Sequence, residues 1–285
     1  MITRKQITAE KEGLRGLKSL VEVYEEIAAI RMQKVRGAVL QSRLFMAGLV
    51  EVFRRVRAAY LKLPDRPLSA RRLNGRKVAV FISANAGLYG DIVDRTFGVF
   101  AQYVRAEKSD VVVLGKLGVK MMTDKMADVL YNYFDFSDEG IDMESFELIM
   151  RYLIQFEKIA VFHGQFKTIL TQVPVRTDVS GEEIIAKGLG GSSGLPLAVE
   201  EQYLFEPSVE DIARVFEGEI LASIFEQTLH ESHLSKFASR MLALDRSLEN
   251  IDKRMVSVKK HERRLVHKQR NRKQLTTVAG ISLWG

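Results

Sequence analysis

The sequence contains no cysteine, and this absence excludes disulfide bonds, thiolate metal sites and thiol catalysis. It also has no run of about 20 apolar residues, the length that a helix needs to cross a bilayer, so no direct membrane insertion is expected. The first residues, MITRKQITAEKEG, lack the apolar segment of a signal peptide and carry glutamates, which argues against a transit peptide. We therefore expect a protein that works in the cytoplasm.

Proline is scarce, and its absence from residues 10–62 permits one long helix there. Apolar residues in this stretch recur at alternating steps of three and four, with breaks at Arg31 and Ser42. The C-terminal stretch keeps the same step, and Glu262 is its single polar break. A sustained period of three and a half residues predicts a left-handed supercoil, so the two helices are predicted to pair as an antiparallel coiled coil. Its predicted core residues are Leu14, Leu17, Val21, Leu234, Phe237, Met241, Leu244, Leu248, Ile251, Met255 and Val258.

The middle of the chain has a different pattern, in which short apolar runs alternate with helical segments. Strands are predicted at 77–82, 110–114, 158–162 and 166–175, the last two joined at His163-Gly164, and helices at 92–106, 126–133 and 143–156. This alternation predicts an α/β layer with at least partly parallel strands. We place the domain boundaries so that residues 1–70 form the first coiled-coil helix, 71–202 the α/β domain and 203–285 the second coiled-coil helix.

Two loop features mark the junction with the last helix. Residues 180–195 end in KGLGGSSGLP, which is typical of a flexible loop. Ser208, with Asp211 three residues later, predicts the N-cap of the final helix.

The stretch VAVFISANAGLYGDI resembles a phosphate-binding turn, because an apolar strand leads through Gly87 and Gly90 into a helix. The P-loop lysine and hydroxyl are missing, however, since Asp91 and Ile92 follow Gly90. The third glycine of the dinucleotide fingerprint is missing as well. Asp91 and Asp94 would also repel a phosphate while satisfying the helix dipole themselves. We therefore predict a structural turn and no cofactor.

Glu226, His230 and His233 fall on one helical face and could ligate zinc. Such residues are common on solvated helix faces, and no catalytic base or pocket accompanies them. No nucleophile, base and orienting group can be assembled elsewhere. We therefore expect neither a metal site nor catalysis in this chain.

The stretch KKHERRLVHKQRNRK, residues 259–273, carries eight lysines and arginines against one glutamate. It could follow a nucleic-acid backbone, although it has no interleaved aromatic for stacking. It could equally lie against an acidic protein surface, which the preceding coiled coil favours.

Several segments resemble the gamma subunit of F-type ATP synthases. The most specific is residues 203–250, with YLFEPS, SIFEQTLHES and ASRMLALDRS in the family's order and spacing. SANAGLYG is similar to the glycine turn after the family's first strand, LGKLG to the turn after the second, QKVRGA to part of the first helix, and VAG to the C-terminal ending. Together they cover nearly the whole chain.

This resemblance implies fold class α/β, with a long antiparallel coiled coil of N- and C-terminal helices and a central Rossmann-like α/β domain that binds no nucleotide. It implies a non-catalytic rotor that couples ion transport to ATP synthesis or hydrolysis. The implied partners are the alpha and beta subunits of the hexameric head, the epsilon subunit and the membrane c-ring. The implied location is peripheral, at the cytoplasmic face of the inner (plasma) membrane. A basic coiled-coil module that binds nucleic acid is the alternative.

Arg240 matches the family arginine that contacts the catalytic subunits. The basic residues predicted to contact the head with it are Lys34, Arg36, Arg263, Arg264, Arg270 and Arg272. The chain also departs from the family pattern: Asn85-Ala86 replaces Asp-Arg, Tyr89 replaces cysteine, Arg31 interrupts the apolar stripe, and residues 270–274 replace Ile-Thr-x-Glu-Leu. These departures indicate a divergent prokaryotic form.

Overall fold

The computed structural model describes residues 4–60, 74–138, 140–179 and 206–281. The chain divides into two compact units, one comprising residues 1–28 with 241–285 and the other residues 29–240. In chain order the elements are α1 (Arg4–Tyr60), β1 (Lys77–Ile82), α2 (Ile92–Ala106), β2 (Asp110–Leu114), α3 (Lys116–Lys125), β3 (Asn132–Phe134), α4 (Met143–Leu153), β4 (Lys158–Phe166), β5 (Gln172–Asp178) and α5 (Val209–Ile281). The long helices α1 and α5 each contribute to both units.

The larger unit is built on a five-stranded sheet in the order β3-β2-β1-β4-β5. Strands β1 to β4 pair in parallel, with Val80 beside Val112 on one side and Val161 on the other. Strand β5 pairs antiparallel with β4. The sheet therefore has the mixed, largely parallel pairing that alternating strands and helices predict.

Both faces of the sheet are buried, which explains why its central strands are almost wholly apolar. Phe81, Val113 and Phe162 face a core formed with α2 and α3. Val80 and Val161 face a second core formed with α4 and with parts of α1 and α5. The predicted fold class, a Rossmann-like α/β domain with terminal coiled-coil helices, is confirmed.

The smaller unit consists of the beginning of α1 and the end of α5. Val21 packs against Leu244 and Ile251, with Leu14, Leu248 and Met255 beside them. Ion pairs flank this seam: Lys11 Nζ lies 2.7 Å from Glu262, and Lys18 Nζ lies 2.7 Å from Asp252. Because increasing residue numbers in α1 meet decreasing numbers in α5, the two helices run antiparallel.

Not every residue of the predicted coiled-coil core lies in this seam. Val258 is buried and Met241 half-buried, but Leu17 is 50% exposed. Leu234 and Phe237 lie in the larger unit, where they pack into the core beneath α2. The apolar step of α5 continues unchanged from one unit to the other, so periodicity alone does not reveal that the partner changes.

Some of the predicted strands and helices agree with the structure, and others do not. The strands at 77–82 and 110–114, the helix at 92–106 and the Ser208 N-cap are confirmed. The helix predicted at 126–133 is wrong, because α3 ends at Lys125 and β3 begins at Asn132. The alternation of Tyr131 and Tyr133 with polar residues is a strand pattern.

The predicted strand break at His163-Gly164 is also wrong, because β4 continues to Phe166. In the ladder His163 lies opposite Val175 of β5 and Gly164 opposite Pro174, so the two strands stay paired through this point. The His163 Nε2 atom also lies 2.9 Å from Thr177 Oγ1 of β5. Gly164 allows close approach of α5, since a Cβ there would lie 2.6 Å from Ser235 Oγ. The glycine therefore marks a packing contact rather than a turn.

The predicted glycine- and serine-rich loop and the domain boundaries at 70/71 and 202/203 lie outside the described residues. Among the helices that the structure does describe, none is long and apolar enough to cross a membrane.

Candidate functional site at the carboxyl edge of the sheet

The carboxyl ends of β1, β2 and β3 meet at one edge of the sheet, the place where open α/β sheets usually bind ligands. Residues 83–91 connect β1 to α2 there, and residues 135–138 follow β3. Helix α5 passes the same edge and contributes Lys236 and Arg240. The site is therefore formed by two loops and one helix.

Asp138 occupies the position in which a phosphate would be held by a strand-to-helix turn. Its Oδ2 accepts hydrogen bonds from the backbone N–H groups of Asn85 at 2.7 Å and Ala86 at 2.9 Å. Its Oδ1 accepts from Lys236 Nζ at 2.9 Å. Backbone N–H donors after a strand are what phosphate sites use. Here an internal carboxylate already takes them.

Lys236 is buried, with only 4% of its surface exposed, and its Nζ also donates to the Ser83 carbonyl at 2.9 Å. Burial lowers the pKa of Lys236, and the Asp138 carboxylate opposes that effect. Burial by itself would raise the pKa of Asp138, but the Lys236 ammonium and the two backbone donors outweigh it, so that this pKa lies below its ordinary value. The two groups form a buried ion pair in which each charge has further hydrogen-bond partners.

Asn85 and Ser83 tie the neighbouring loops to this pair. Asn85 Nδ2 donates to Asp135 Oδ1 at 2.8 Å and to the Phe136 carbonyl at 2.9 Å, and its Oδ1 accepts from Lys116 N at 2.8 Å. Ser83 Oγ donates to the Leu114 carbonyl and accepts from Gly118 N at 2.9 Å. The loops after all three strands therefore form one polar network.

Arg240 holds the glycine turn rather than extending into solvent. It is 9% exposed, its Nη2 donates to the Gly87 carbonyl at 3.1 Å, and its guanidinium carbon lies 4.5 Å from the centre of the Tyr89 ring. Tyr89 packs edge-on against Phe237. Burial, reinforced by the Asp138 carboxylate, raises the pKa of Tyr89 to about 12, so the phenol stays protonated.

Asp91 at the end of the turn and Asp94 in the first turn of α2 are both close to cations of the chain itself. Asp94 Oδ1 lies 3.2 Å from Lys125 Nζ, and Asp91 lies 3.7 Å from Arg95. Gly90 has φ of +60°, and a Cβ there would lie 2.4 Å from Ser239 Oγ of α5. The space beside the turn is thus filled by α5.

The two histidines that could have ligated zinc with Glu226 do not converge on a common point. His230 Nε2 lies 3.5 Å from Glu226, whereas the His233 ring lies between Phe136 and Phe237, with centroids 5.9 and 6.5 Å away. Burial and the nearby Lys236 ammonium hold the pKa of His233 well below its ordinary value. Within residues 4–60, 74–138, 140–179 and 206–281, no group of three or more potential ligands is placed to hold a metal.

The basic residues predicted to contact partners divide by burial. Arg240 is buried in the network described above. The exposed members are Lys34 and Arg36 on α1 and Arg263, Arg264, Arg270 and Arg272 on α5. Sequence reasoning missed Asp138 and Lys236 entirely. The available signal was a lysine within a run of apolar and small residues, one helical turn before Arg240, in SHLSKFASR.

The comparisons with known proteins cover almost the whole chain. A family model described as ATP synthase matches residues 3–267. The ATP synthase gamma chain of Cytophaga hutchinsonii is 22% identical over 272 residues, covering 91% of each chain. That of Prosthecochloris aestuarii is 24% identical over 270 residues, covering 88% of this chain and 87% of the relative.

Solved structures with a similar fold come from mitochondrial enzymes. A chain in a cryo-EM structure of the Euglena gracilis mitochondrial ATP synthase, OSCP/F1/c-ring, matches with a TM-score of 0.62 and 15% identity, covering 98% of this chain and 95% of that one. A chain of the Tetrahymena thermophila mitochondrial ATP synthase central stalk/c-ring matches with a TM-score of 0.57 and 16% identity, covering 80% and 99%.

Proposed function

The chain belongs to the ATP synthase gamma-chain family, and from this membership we propose that it is the central rotor subunit of an F-type ATP synthase. It transmits torque between an ion-driven membrane ring and a catalytic head, and so couples ion transport to ATP synthesis or hydrolysis. The observation that carries this conclusion is the family match over residues 3–267, which includes the sheet, all of α1 and most of α5. The nucleic-acid alternative has no support in the comparisons.

In this role the chain has no active site of its own, and catalysis belongs to the beta subunits of the head. Support comes from the carboxyl edge of the sheet, where Asp138 takes the backbone donors that a phosphate would use. Lys236 supplies the matching cation from within the chain. The nucleotides that the complex converts are therefore bound by its partners.

The helix pair would contact the alpha and beta subunits, with α5 contributing the exposed cations Arg263, Arg264, Arg270 and Arg272. Because residues 259–273 carry a single glutamate, which pairs with Lys11, the surrounding lining of the head would supply carboxylates. Lys34 and Arg36 would add contacts near the middle of α1. Arg240 would act through the glycine turn that it holds.

The α/β domain would contact the epsilon subunit and the c-ring. The complex would lie at the cytoplasmic face of the plasma membrane, with this chain as a peripheral subunit. Support comes from the similar chains of the Euglena and Tetrahymena enzymes, which belong to assemblies that contain a c-ring.

Co-expression with the alpha and beta subunits encoded in the same genome tests the function directly. A tag on this chain should recover both subunits in a complex that hydrolyses ATP, and addition of the membrane part should make that hydrolysis drive ion transport. If the purified chain recovers neither subunit but shifts DNA in a salt-sensitive manner, the nucleic-acid alternative is correct instead.

The same complex tests the role of Arg240. Arg240→Ala should lower ATP synthesis more than it lowers assembly, because the turn loses its hydrogen bond and its cation–π contact. Arg151→Ala, which removes an exposed cation of α4, should leave synthesis unchanged. Wild-type synthesis in the Arg240 variant would show that this assignment is wrong.

A further inference from the structure

Within the larger unit, helix α5 packs against the sheet and its surrounding loops through two chemically different stretches. From Ile220 to Leu229 its most deeply buried residues are largely apolar, among them Leu221 and Phe225. The hydrophobic effect that holds such contacts together is non-directional. From Ser232 to Arg240 most of the buried residues are polar or charged: Ser232, His233, Ser235, Lys236, Ser239 and Arg240. The second stretch is therefore where direction-dependent contacts concentrate.

The Lys236 ammonium links α5 to two separate loops. It donates to the Ser83 carbonyl after β1 and to Asp138 after β3, both at 2.9 Å. A side-chain atom on a helix lies roughly 5–6 Å from the axis, so a rotation of about 10° moves it by about 1 Å. A displacement of that size breaks a hydrogen bond of ordinary length. The pair is therefore sensitive to small rotations of α5 against the sheet.

Close steric contacts accompany the ion pair. A Cβ at Gly90 would lie 2.4 Å from Ser239 Oγ, and a Cβ at Gly164 would lie 2.6 Å from Ser235 Oγ. The backbone of the turn and of β4 thus lies directly against the small side chains of α5. Because an added Cβ would not fit at either glycine, these serines have little room to move toward the backbone.

We propose that the Asp138–Lys236 pair is an internal anchor that makes the α/β domain turn with α5, so that torque passes between them without slip. This inference rests on the proposed rotor function. Lys236 and Asp138 are positioning residues in it, since they act through the two loops that they connect to α5. A charged pair suits this task because displacing one partner leaves a buried charge uncompensated, which an apolar contact does not do.

The test uses the assembled complex in vesicles and measures ions transported per ATP hydrolysed. Asp138→Asn, Lys236→Met and the double variant should each hydrolyse ATP but lose most of the transport per ATP. Lys236→Arg, which keeps the cation, should recover part of it. The matched control is the exposed Asp94–Lys125 pair between α2 and α3, changed to Asn and Met in the same way, which should keep the wild-type ratio.

The outcomes separate the anchor from the rotor function and from simple stabilisation. If the wild-type chain does not assemble or couple, the proposed function fails. If it couples and the double variant couples equally well, the anchor is overturned. The double variant leaves no unpaired buried charge and is thus the one that folds if the single variants do not. Loss of assembly in the double variant would also overturn the anchor, because the pair would then serve folding alone.

Discussion

The cations of α5 act differently according to what surrounds each of them. Lys236 is enclosed and paired with Asp138, so its position is determined by two loops. Arg240, one turn later, lies over Tyr89 and holds the glycine turn. Lys253 lies in solvent beside Glu249, where an ion pair stabilises little. Burial rather than residue type therefore separates positioning cations from those available to a partner.

Gly90→Ala should destabilise the isolated chain by about 2 kcal/mol or more in denaturant unfolding, because left-handed backbone costs roughly 1–2 kcal/mol for a residue with a Cβ and the added atom meets Ser239. Gly87→Ala is the matched control, since no atom lies within 4 Å of a Cβ there. Equal stability of the two variants would contradict the close approach of α5 to this turn.

At the scale of elements, α5 is a single helix with two packing environments. Up to Arg240 it packs within the larger unit, and from Met241 it pairs with the beginning of α1 in the smaller unit. Beyond the seam its surface is exposed, including apolar residues such as Leu275.

Leu244→Ala and Leu275→Ala compare the same substitution in the seam and beyond it. Leu244 is 5% exposed and packs with Val21, so its truncation should cost roughly 2–3 kcal/mol of unfolding free energy. Leu275 is 70% exposed, and its truncation should cost less than about 0.5 kcal/mol in the isolated chain. Thermal unfolding of the two variants measures the difference. A large loss at Leu275 would contradict the exposure of this end.

At the scale of the whole molecule, buried neutral histidines make stability depend on pH. Burial lowers the pKa of His163 and, further, that of His233. The unfolded chain therefore binds more protons than the folded chain once the pH falls below about 6.5, the ordinary histidine value. Stability contributed by the neutral rings is complete above that pH and is lost progressively as the pH falls.

The midpoint of thermal unfolding should accordingly decrease as the pH is lowered from 8 to about 5. The His233→Gln variant should show a smaller decrease over the same range. His261→Gln, in the exposed basic stretch, should leave the slope unchanged. At still lower pH the stability that the Asp138 carboxylate contributes is lost as well. This loss comes later because its lowered pKa keeps the carboxylate ionised to a lower pH. A pH-independent midpoint would contradict the burial of both rings.

Local patterns in the sequence sufficed for much of the fold. The strands at 77–82 and 110–114 and the helix at 92–106 follow from apolar runs and helical spacing, which depend on neighbouring residues only. The helix prediction at 126–133 was wrong because the methionine and leucine of this segment fit a helix, while its tyrosines fit a strand. The strand break predicted at His163-Gly164 was wrong because a glycine that makes room for α5 looks the same in the sequence as a glycine in a turn.

The sequence by itself determined the long helices, the α/β layer, the absence of thiol chemistry and the turn that lacks the residues of a phosphate site. Only the tertiary structure decided what occupies that turn. Asp138 and Lys236 lie 98 residues apart, and no local period links them. Their pairing depends on where α5 crosses the sheet edge, and burial at that crossing gives the contact its strength.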